Sequence, residues 1–413
     1  MFRSGGWLTR QRARAYALLI LGLGLTALAA WVALSDGLVD RNGKPLGTDF
    51  SNVYAAGTLV RQGHPADAYD PARQHAAEIA VFGGRDVPFF GWHYPPFFLT
   101  VAALLAHLPY AAALLVWLVA TGLAYGAAMR GILAPVALPR AEIWLAIFAF
   151  PAVLVNVGHG QNGFLTAALL GGALLVLERR PALAGLLIGL MAYKPQFGVL
   201  VPVALLAAAR WTTIATACAT VAALGLATTL LMGAEIWPAF LASTRFTQHV
   251  VLEEGALGWA KAQSIFAAAR LWGLGVPAAY GLQLGLGLAL AATLAWLWRS
   301  AADHALKAAA LACACLLATP YVLDYDLVAL GVAIAFYVRH GMARGFRDGE
   351  ISLLAAAWLM PLLARTVMSA SGIPLGLIAL LSLYVMLLRR ARADLAGRTR
   401  HEAPGCGIVA PQA

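Results

Sequence analysis

Long apolar runs lie near residues 15–35, 95–129, 141–157, 163–177, 182–209, 211–232, 263–298, 305–319, 326–338, 351–367 and 373–388, separated by short polar connectors. Such runs enter lipid as α-helices, because a helix satisfies its backbone N–H and C=O groups within one segment. Several fall short of the roughly 20 residues that a straight crossing needs. Others are interrupted by Gly or Pro, the pattern of broken helices that border a cavity instead of facing lipid. The charged fraction is 12%, about half that of a soluble domain. The expected fold is therefore all-α, a polytopic transmembrane helical bundle with about 12 spans (roughly 10–13). Residues 1–390 form one membrane domain in this reading, and 391–413 a polar cytoplasmic tail expected to be disordered.

A net charge of +10 raises the question of nucleic acid, and the placement of the charges answers it. Nineteen of the 29 Lys and Arg lie at the N-terminus, in short connectors and in the tail, as the positive-inside rule requires of a membrane protein with both termini cytoplasmic. Residues 15–35 read as a retained first span, since the run is long and lacks a small-residue cleavage site. Of the four cysteines, three sit inside apolar runs and read as small hydrophobes, with no ligand spacing for a metal.

One segment departs from the lipid pattern. The loop from Asp36 to His93 holds seven of the nineteen carboxylates and falls on the outer side of the membrane. Tyr54–Val60 and Ala72–Phe82 are helix-compatible, which predicts two short interfacial helices roofing a cavity in the bundle. Within the loop, Asp49 in Gly47-Thr48-Asp49-Phe50-Ser51-Asn52-Val53-Tyr54 is either a turn former or helix cap, or a general base. In the second case partial desolvation is expected to raise its proton affinity. Tyr94-Pro95-Pro96 orders the mouth of the next span, with His93 before it as an interfacial, acceptor or phosphate contact.

Further polar positions gather on the same outer side. His159, Gln161 and Asn162 form an island between apolar spans, either a bare turn or a grip for sugar hydroxyls. Lys194-Pro195 breaks the run 182–209, and an ammonium within it is either a snorkelling lysine or the cation that meets a phosphate. Arg245, His249, Lys261, Arg270 and Arg365 violate the positive-inside pattern and predict a bound anion. Asp324 and Asp326 are two residues apart, so at most one is expected to face the site. No Walker A, Rossmann or His-Glu-x-x-His pattern is present, so soluble nucleotide chemistry has no support.

The ordered fragments Gly47-Thr48-Asp49-Phe50 with Tyr54, Tyr94-Pro95-Pro96, Gly160-Gln161-Asn162, Lys194-Pro195, Gln263-Ser264 with Arg270, and the Pro320 segment resemble the GT-C superfamily, and within it bacterial glycosyltransferase family 87. The resemblance implies an inverting transfer of a hexose, with mannose the expected sugar. The donor would be polyprenyl-phosphate-linked, and Asp49 would deprotonate the acceptor hydroxyl. It further implies donor-phosphate contacts from Lys194, Arg270 and Arg245. Sugar or acceptor contacts would come from Tyr54, His93, Tyr94, His159, Gln161, Asn162, Gln263, Ser264, Asp324 and Tyr325. Neither cofactor nor metal is required by that scheme, the lipid-linked donor being a substrate. The acceptor would be a glycolipid, a polysaccharide precursor or another molecule on the periplasmic side of a bacterial cytoplasmic membrane. Relatives often carry a histidine where this chain has Asp324-Tyr325-Asp326, and Tyr325 brings no positive charge, so phosphate or acceptor handling is expected to differ. The rival reading is a transporter or flippase of a lipid-linked or small polar substrate. A base fixed in a long outer loop has no use in that reading, and the two halves show no internal repeat.

Overall fold

The computed structural model describes residues 5–256 and 258–402. The described residues form helices joined by turns, with only isolated β-bridges. α1 (Arg10–Ala33) leads into the polar loop, which carries α2 (Phe50–Arg61) and α3 (Pro71–Val81). The run 95–129 divides at Pro109, the N-cap of a long helix, into α4 (Phe98–Leu105) and α5 (Tyr110–Ile132). α6 (Arg140–Phe148) and α7 (Pro151–His159) meet at a 53° bend, where the first-turn proline of α7 lacks the amide that would continue the ladder. α8 (Gly163–Val176) precedes a broken hairpin, α9 (Pro181–Leu190) and α10 (Val201–Ala207), whose 3₁₀ turns flank Lys194 and Pro195.

The second half begins with α11 (Trp211–Met232) and α12 (Ile236–Phe246), which continues as a π-helical turn over Thr247–Glu253. α13 (Ile265–Leu271), α14 (Val276–Arg299) and α15 (His304–Ala318) follow, then a 3₁₀ turn at Asp324–Ala329 running into α16 (Leu330–Arg344), α17 (Glu350–Ser371) and α18 (Leu375–Glu402). Among the described residues, six helical segments are long and apolar enough to cross a membrane: Arg10–Ala33, Tyr110–Ile132, Trp211–Met232, Val276–Arg299, Asp324–Arg344 and Glu350–Ser371. The bent α6–α7 pair makes a seventh if counted as one span. Gly163–Val176, Pro181–Tyr193, Pro195–Ala207 and His304–Ala318 are apolar but shorter, so length assigns six or seven crossings where about 12 were expected.

α15 and α16 form the centre. Almost every residue of α15 is buried, because its alternation of Ala and Cys with Leu lets neighbouring backbones approach closely. α1 and α11 are exposed along nearly their whole length and form an apolar rim. Polar contacts mark two ends of the bundle. At one, Arg10 pairs with Glu142 at 2.7 Å, Arg210 with Glu178, and Arg390 with Glu350 at 2.8 Å. α18 runs on to Glu402, with Asp394 bonded to His340, Arg347 and Arg390, so helix covers the first twelve residues of the expected tail. At the other end, the Tyr110 hydroxyl donates to Leu46 O at 2.7 Å and the Asp49 amide to His159 O at 3.0 Å.

The two short loop helices form as expected but do not simply lie on a surface. α2 buries eight of its twelve residues against α4 and α3, and Gly57 is the point of closest approach to Ala102.

Candidate active site

Asp49 sits at the N-cap position of α2, yet its side chain makes no capping hydrogen bond. That removes the helix-cap reading and leaves the carboxylate for other partners. Gln161 Nε2 donates to Asp49 Oδ2 at 3.2 Å. The amide is oriented by the Tyr94 hydroxyl, which donates to Gln161 Oε1 at 3.0 Å, and by the Asn162 amide, which donates to the same oxygen at 2.7 Å. His159 Nδ1 lies 3.6 Å from Asp49 Oδ1 and shares a 2.8 Å hydrogen bond with Thr48 Oγ1. Lys261 Nζ completes the ring, 3.7 Å from Asp49 Oδ2.

These contacts reverse one expectation. Burial does push the Asp49 carboxyl toward its neutral form, but the Lys261 charge and the His159 and Gln161 hydrogen bonds outweigh it and hold the group well below the usual carboxylate range. His93 goes the other way from an ordinary imidazole: burial lowers it to about 4 despite a contact with the Phe90 backbone and the Asp49 charge. It is neutral near pH 7, with Nδ1 2.8 Å from Thr247 Oγ1.

A cavity of about 280 Å³ opens beside Asp49. Of the residues singled out in the sequence, Asp49, His93, Tyr94, Gln161, Lys194 and Tyr325 line it together. Lys194 is almost wholly buried and donates to Asp326 Oδ1 at 2.6 Å. The Tyr325 ring lies under both ammonium groups, 5.2 Å from Lys194 Nζ and 5.1 Å from Lys261 Nζ, an arrangement favoured by the negative face of the ring.

Other expected contacts fall elsewhere. His159 and Asn162 stand behind the wall, Asn162 buried with both side-chain amide atoms unpartnered. The Tyr54 hydroxyl is spent on Leu108 O. Arg270 donates to Leu274 O and Glu253 O and stacks on Trp259, so its charge caps backbone carbonyls. Arg245 is exposed on α12 and absent from the lining. Gln263 and Ser264 join their loop to the 320–323 segment, through the Gln263 amide to Val322 O and Ser264 Oγ to Pro320 O, both at 2.8 Å. Asp324 turns toward Arg365 at 3.5 Å, and it is Asp326 that reaches Lys194.

Four features escaped the sequence reading. Lys261 stood out only as stray positive charge, and Asp326 was not distinguished from Asp324. Asn52 lines the cavity with an unpartnered Oδ1, and its position three residues after Asp49 was a usable signal. Ser243, Thr244, Thr247 and Gln248 form the opposite wall, at the i, i+1, i+4, i+5 spacing of one helix face.

Two larger cavities, about 630 and 470 Å³, lie at the other end of the bundle around Arg347 and Arg390. Their charges are largely paired with one another, Arg390 with Glu350 and Asp394 and Arg347 with Asp394. Among the described residues, no three His, Cys, Asp or Glu side chains converge in a way that could hold a metal ion.

No curated protein and no solved structure matches this chain. The family model described as glycosyltransferase family 87 matches residues 92–320, which carry Tyr94, Gln161, Lys194 and Lys261 but not Asp49. That match spans more than half of the chain, and the protein belongs to glycosyltransferase family 87.

Proposed function

We propose that the protein is an inverting glycosyltransferase that moves a hexose, mannose in the first instance, from a polyprenyl-phosphate-linked donor to an acceptor hydroxyl. The observation that carries this is the convergence of Asp49 and Lys194 on one cavity, a carboxylate and an ammonium on the walls of a space near the lower end of the usual roughly 300–1,000 Å³ range for ligand sites. In the reaction the acceptor oxygen attacks the anomeric carbon from the face opposite the phosphate. The new C–O bond forms as the bond to the phosphate oxygen breaks, a β-linked donor gives an α-glycoside, and the acceptor proton passes to Asp49. Polyprenyl phosphate leaves with both bonding electrons, and the Lys194 ammonium stabilises its charge.

A carboxylate of low proton affinity suits this chemistry. As the anomeric centre takes on oxocarbenium character, the attacking hydroxyl becomes acidic late, so the base need be weak but must be ionised and aimed. Asn52, Tyr94 and Gln161 are positioned to meet hexose hydroxyls. Ser243, Thr244 and Gln248 on the opposite wall suit a glycolipid, polysaccharide precursor or other acceptor.

The membrane arrangement belongs to the same proposal. The shorter helices α8, α9, α10 and α15 cross as well, shielded by the rim, which with α18 and the bent α6–α7 pair gives twelve crossings. The Arg-rich end faces the bacterial cytoplasm together with both termini, and the Asp49 cavity faces the periplasm. The test is transfer from polyprenyl-phosphate mannose to a membrane lipid extract by purified protein. Wild type is expected to form a glycolipid product and Asp49→Asn to lose at least 100-fold in rate, whereas equal transfer by the two removes Asp49 from the mechanism.

A further inference from the structure

We infer that Lys261 is a positioning residue for the base, a fixed counter-ion that keeps the Asp49 carboxylate ionised and aimed while the acceptor binds. The inference rests on the base assignment above and goes beyond it in naming what sets the pH range over which that base works.

The geometry is built for a fixed charge. Lys261 and Asp49 are each more than nine-tenths buried, their charged atoms lie 3.7 Å apart, and the ammonium is held over the Tyr325 ring. Lys261 does not line the cavity, so it faces the carboxylate from behind and leaves the open side to substrate. Its backbone is anchored on both sides. A bridge joins Ala262 to Leu323, the Gln263 amide and Ser264 hydroxyl reach Val322 O and Pro320 O, and Gln263 Nε2 folds back onto Ala260 O at 3.1 Å. The polar residues at 263 and 264 thus brace the loop that carries Lys261 and do not line the cavity.

The groups facing Asp49 divide clearly. His159 and Gln161 approach from α7 and the turn after it, Lys261 from the loop before α13, Tyr94 and His93 from the segment before α4, Tyr110 from the start of α5, and Tyr321 and Tyr325 from the segment before α16. Of these only Lys261 carries a permanent charge, and an opposite charge at this distance lowers a carboxyl by about 1–3 units.

The experiment follows Asp49 directly and does not depend on turnover. The protonated-carboxyl infrared band, taken as full-length protein minus its Asp49→Asn variant, is titrated in detergent for three Lys261 backgrounds: wild type, Lys261→Met and Lys261→Arg. The midpoint is expected to rise by at least one unit in Lys261→Met and to return toward wild type in Lys261→Arg. Transfer rates should follow, the acid limb of the Lys261→Met profile moving to higher pH by the same interval as the midpoint. An unmoved midpoint in a folded, monodisperse Lys261→Met protein overturns the inference, as does an acid limb of transfer that stays where wild type has it. A midpoint that moves while Asp49→Asn still transfers sugar sustains the Lys261–Asp49 coupling and refutes the base assignment instead.

Discussion

The Lys194 ammonium donates to Asp326 Oδ1 at 2.6 Å with both side chains almost sealed from solvent. Asp326 Oδ2 also accepts the Leu323 amide at 3.0 Å, so the carboxylate ties the broken α9–α10 hairpin to the turn before α16. An ion pair so placed is both structural and available. Removing only the ammonium leaves a buried charge unpaired, which costs about 3–5 kcal/mol. Lys194→Met should therefore unfold markedly earlier than wild type in a detergent melt, while Lys194→Met/Asp326→Asn recovers most of that loss. Transfer should stay at least 100-fold down in the double variant, because the cation proposed to meet the donor phosphate is still missing. Recovery of both stability and transfer would reduce the pair to a structural one.

His93 gives a prediction about what the pH profile will not contain. Burial holds this imidazole at about 4, so it is neutral throughout pH 5.5–8.5 and cannot supply a limb there. Its Nδ1 contact with Thr247 joins the segment before α4 to the π-helical turn across the cavity. Thr247→Val cuts that link and should raise KM for donor or acceptor by about three- to tenfold, at about 1 kcal/mol for one lost hydrogen bond, with the shape of the profile unchanged. A limb between pH 6 and 8 that is present in wild type and missing from His93→Gln would contradict a neutral His93.

Glu78 links the loop to pH in the opposite sense. Burial pushes its carboxyl up to about 7, even though the amides of Phe90 and Gly91 donate to it at 3.0 and 3.1 Å and His75 and Gln74 stand nearby. Because the folded-state value lies above the unfolded one, the folded protein binds more protons between about pH 4.5 and 7. Its stability contribution is then full below that window and lost as pH rises through it. Glu78→Gln, which cannot ionise, should gain in melting temperature relative to wild type between pH 5.5 and 8. A constant difference between the two proteins across that range would show that Glu78 titrates elsewhere.

Much of this site could be read from the chain before its structure. Asp49, Gln161 and Lys194 each broke a local rule: a carboxylate in an otherwise lipid-adapted protein, a polar island between apolar runs, an ammonium beside a helix-breaking proline. The helix-compatible stretches 54–60 and 72–82 also located α2 and α3. Pairings between distant segments were not legible. Nothing local to Lys261 indicates that the bridge to Leu323 turns it onto Asp49, and nothing in Arg270 tells a phosphate ligand from a guanidinium committed to the carbonyls of Leu274 and Glu253. The choice between Asp324 and Asp326 depends on the phase of a 3₁₀ turn, which a two-residue spacing leaves open. Helix length alone assigns six or seven of the expected 12 or so spans, because four further apolar helices are shorter than a straight crossing needs.

Gly57 tests whether the seat of α2 controls the chemistry. A methyl group there would overlap the Ala102 carbonyl oxygen and crowd Ala106, and backbone atoms cannot turn aside as a flexible side chain can. α2 would have to lift from α4, carrying Asp49 at its N-terminus away from Gln161 and Lys261. Gly57→Ala should cost about 1–3 kcal/mol of stability, the usual range for forced overpacking, and at least tenfold in transfer through lost aim at a site where small displacements are expensive. Gly281→Ala is the matched control, since a methyl on that α14 glycine meets nothing and should be neutral or stabilising by about 0.5–1 kcal/mol. Transfer by Gly57→Ala at the wild-type rate would mean that α2 can shift without moving the base, and the seat on α4 would lose its functional meaning.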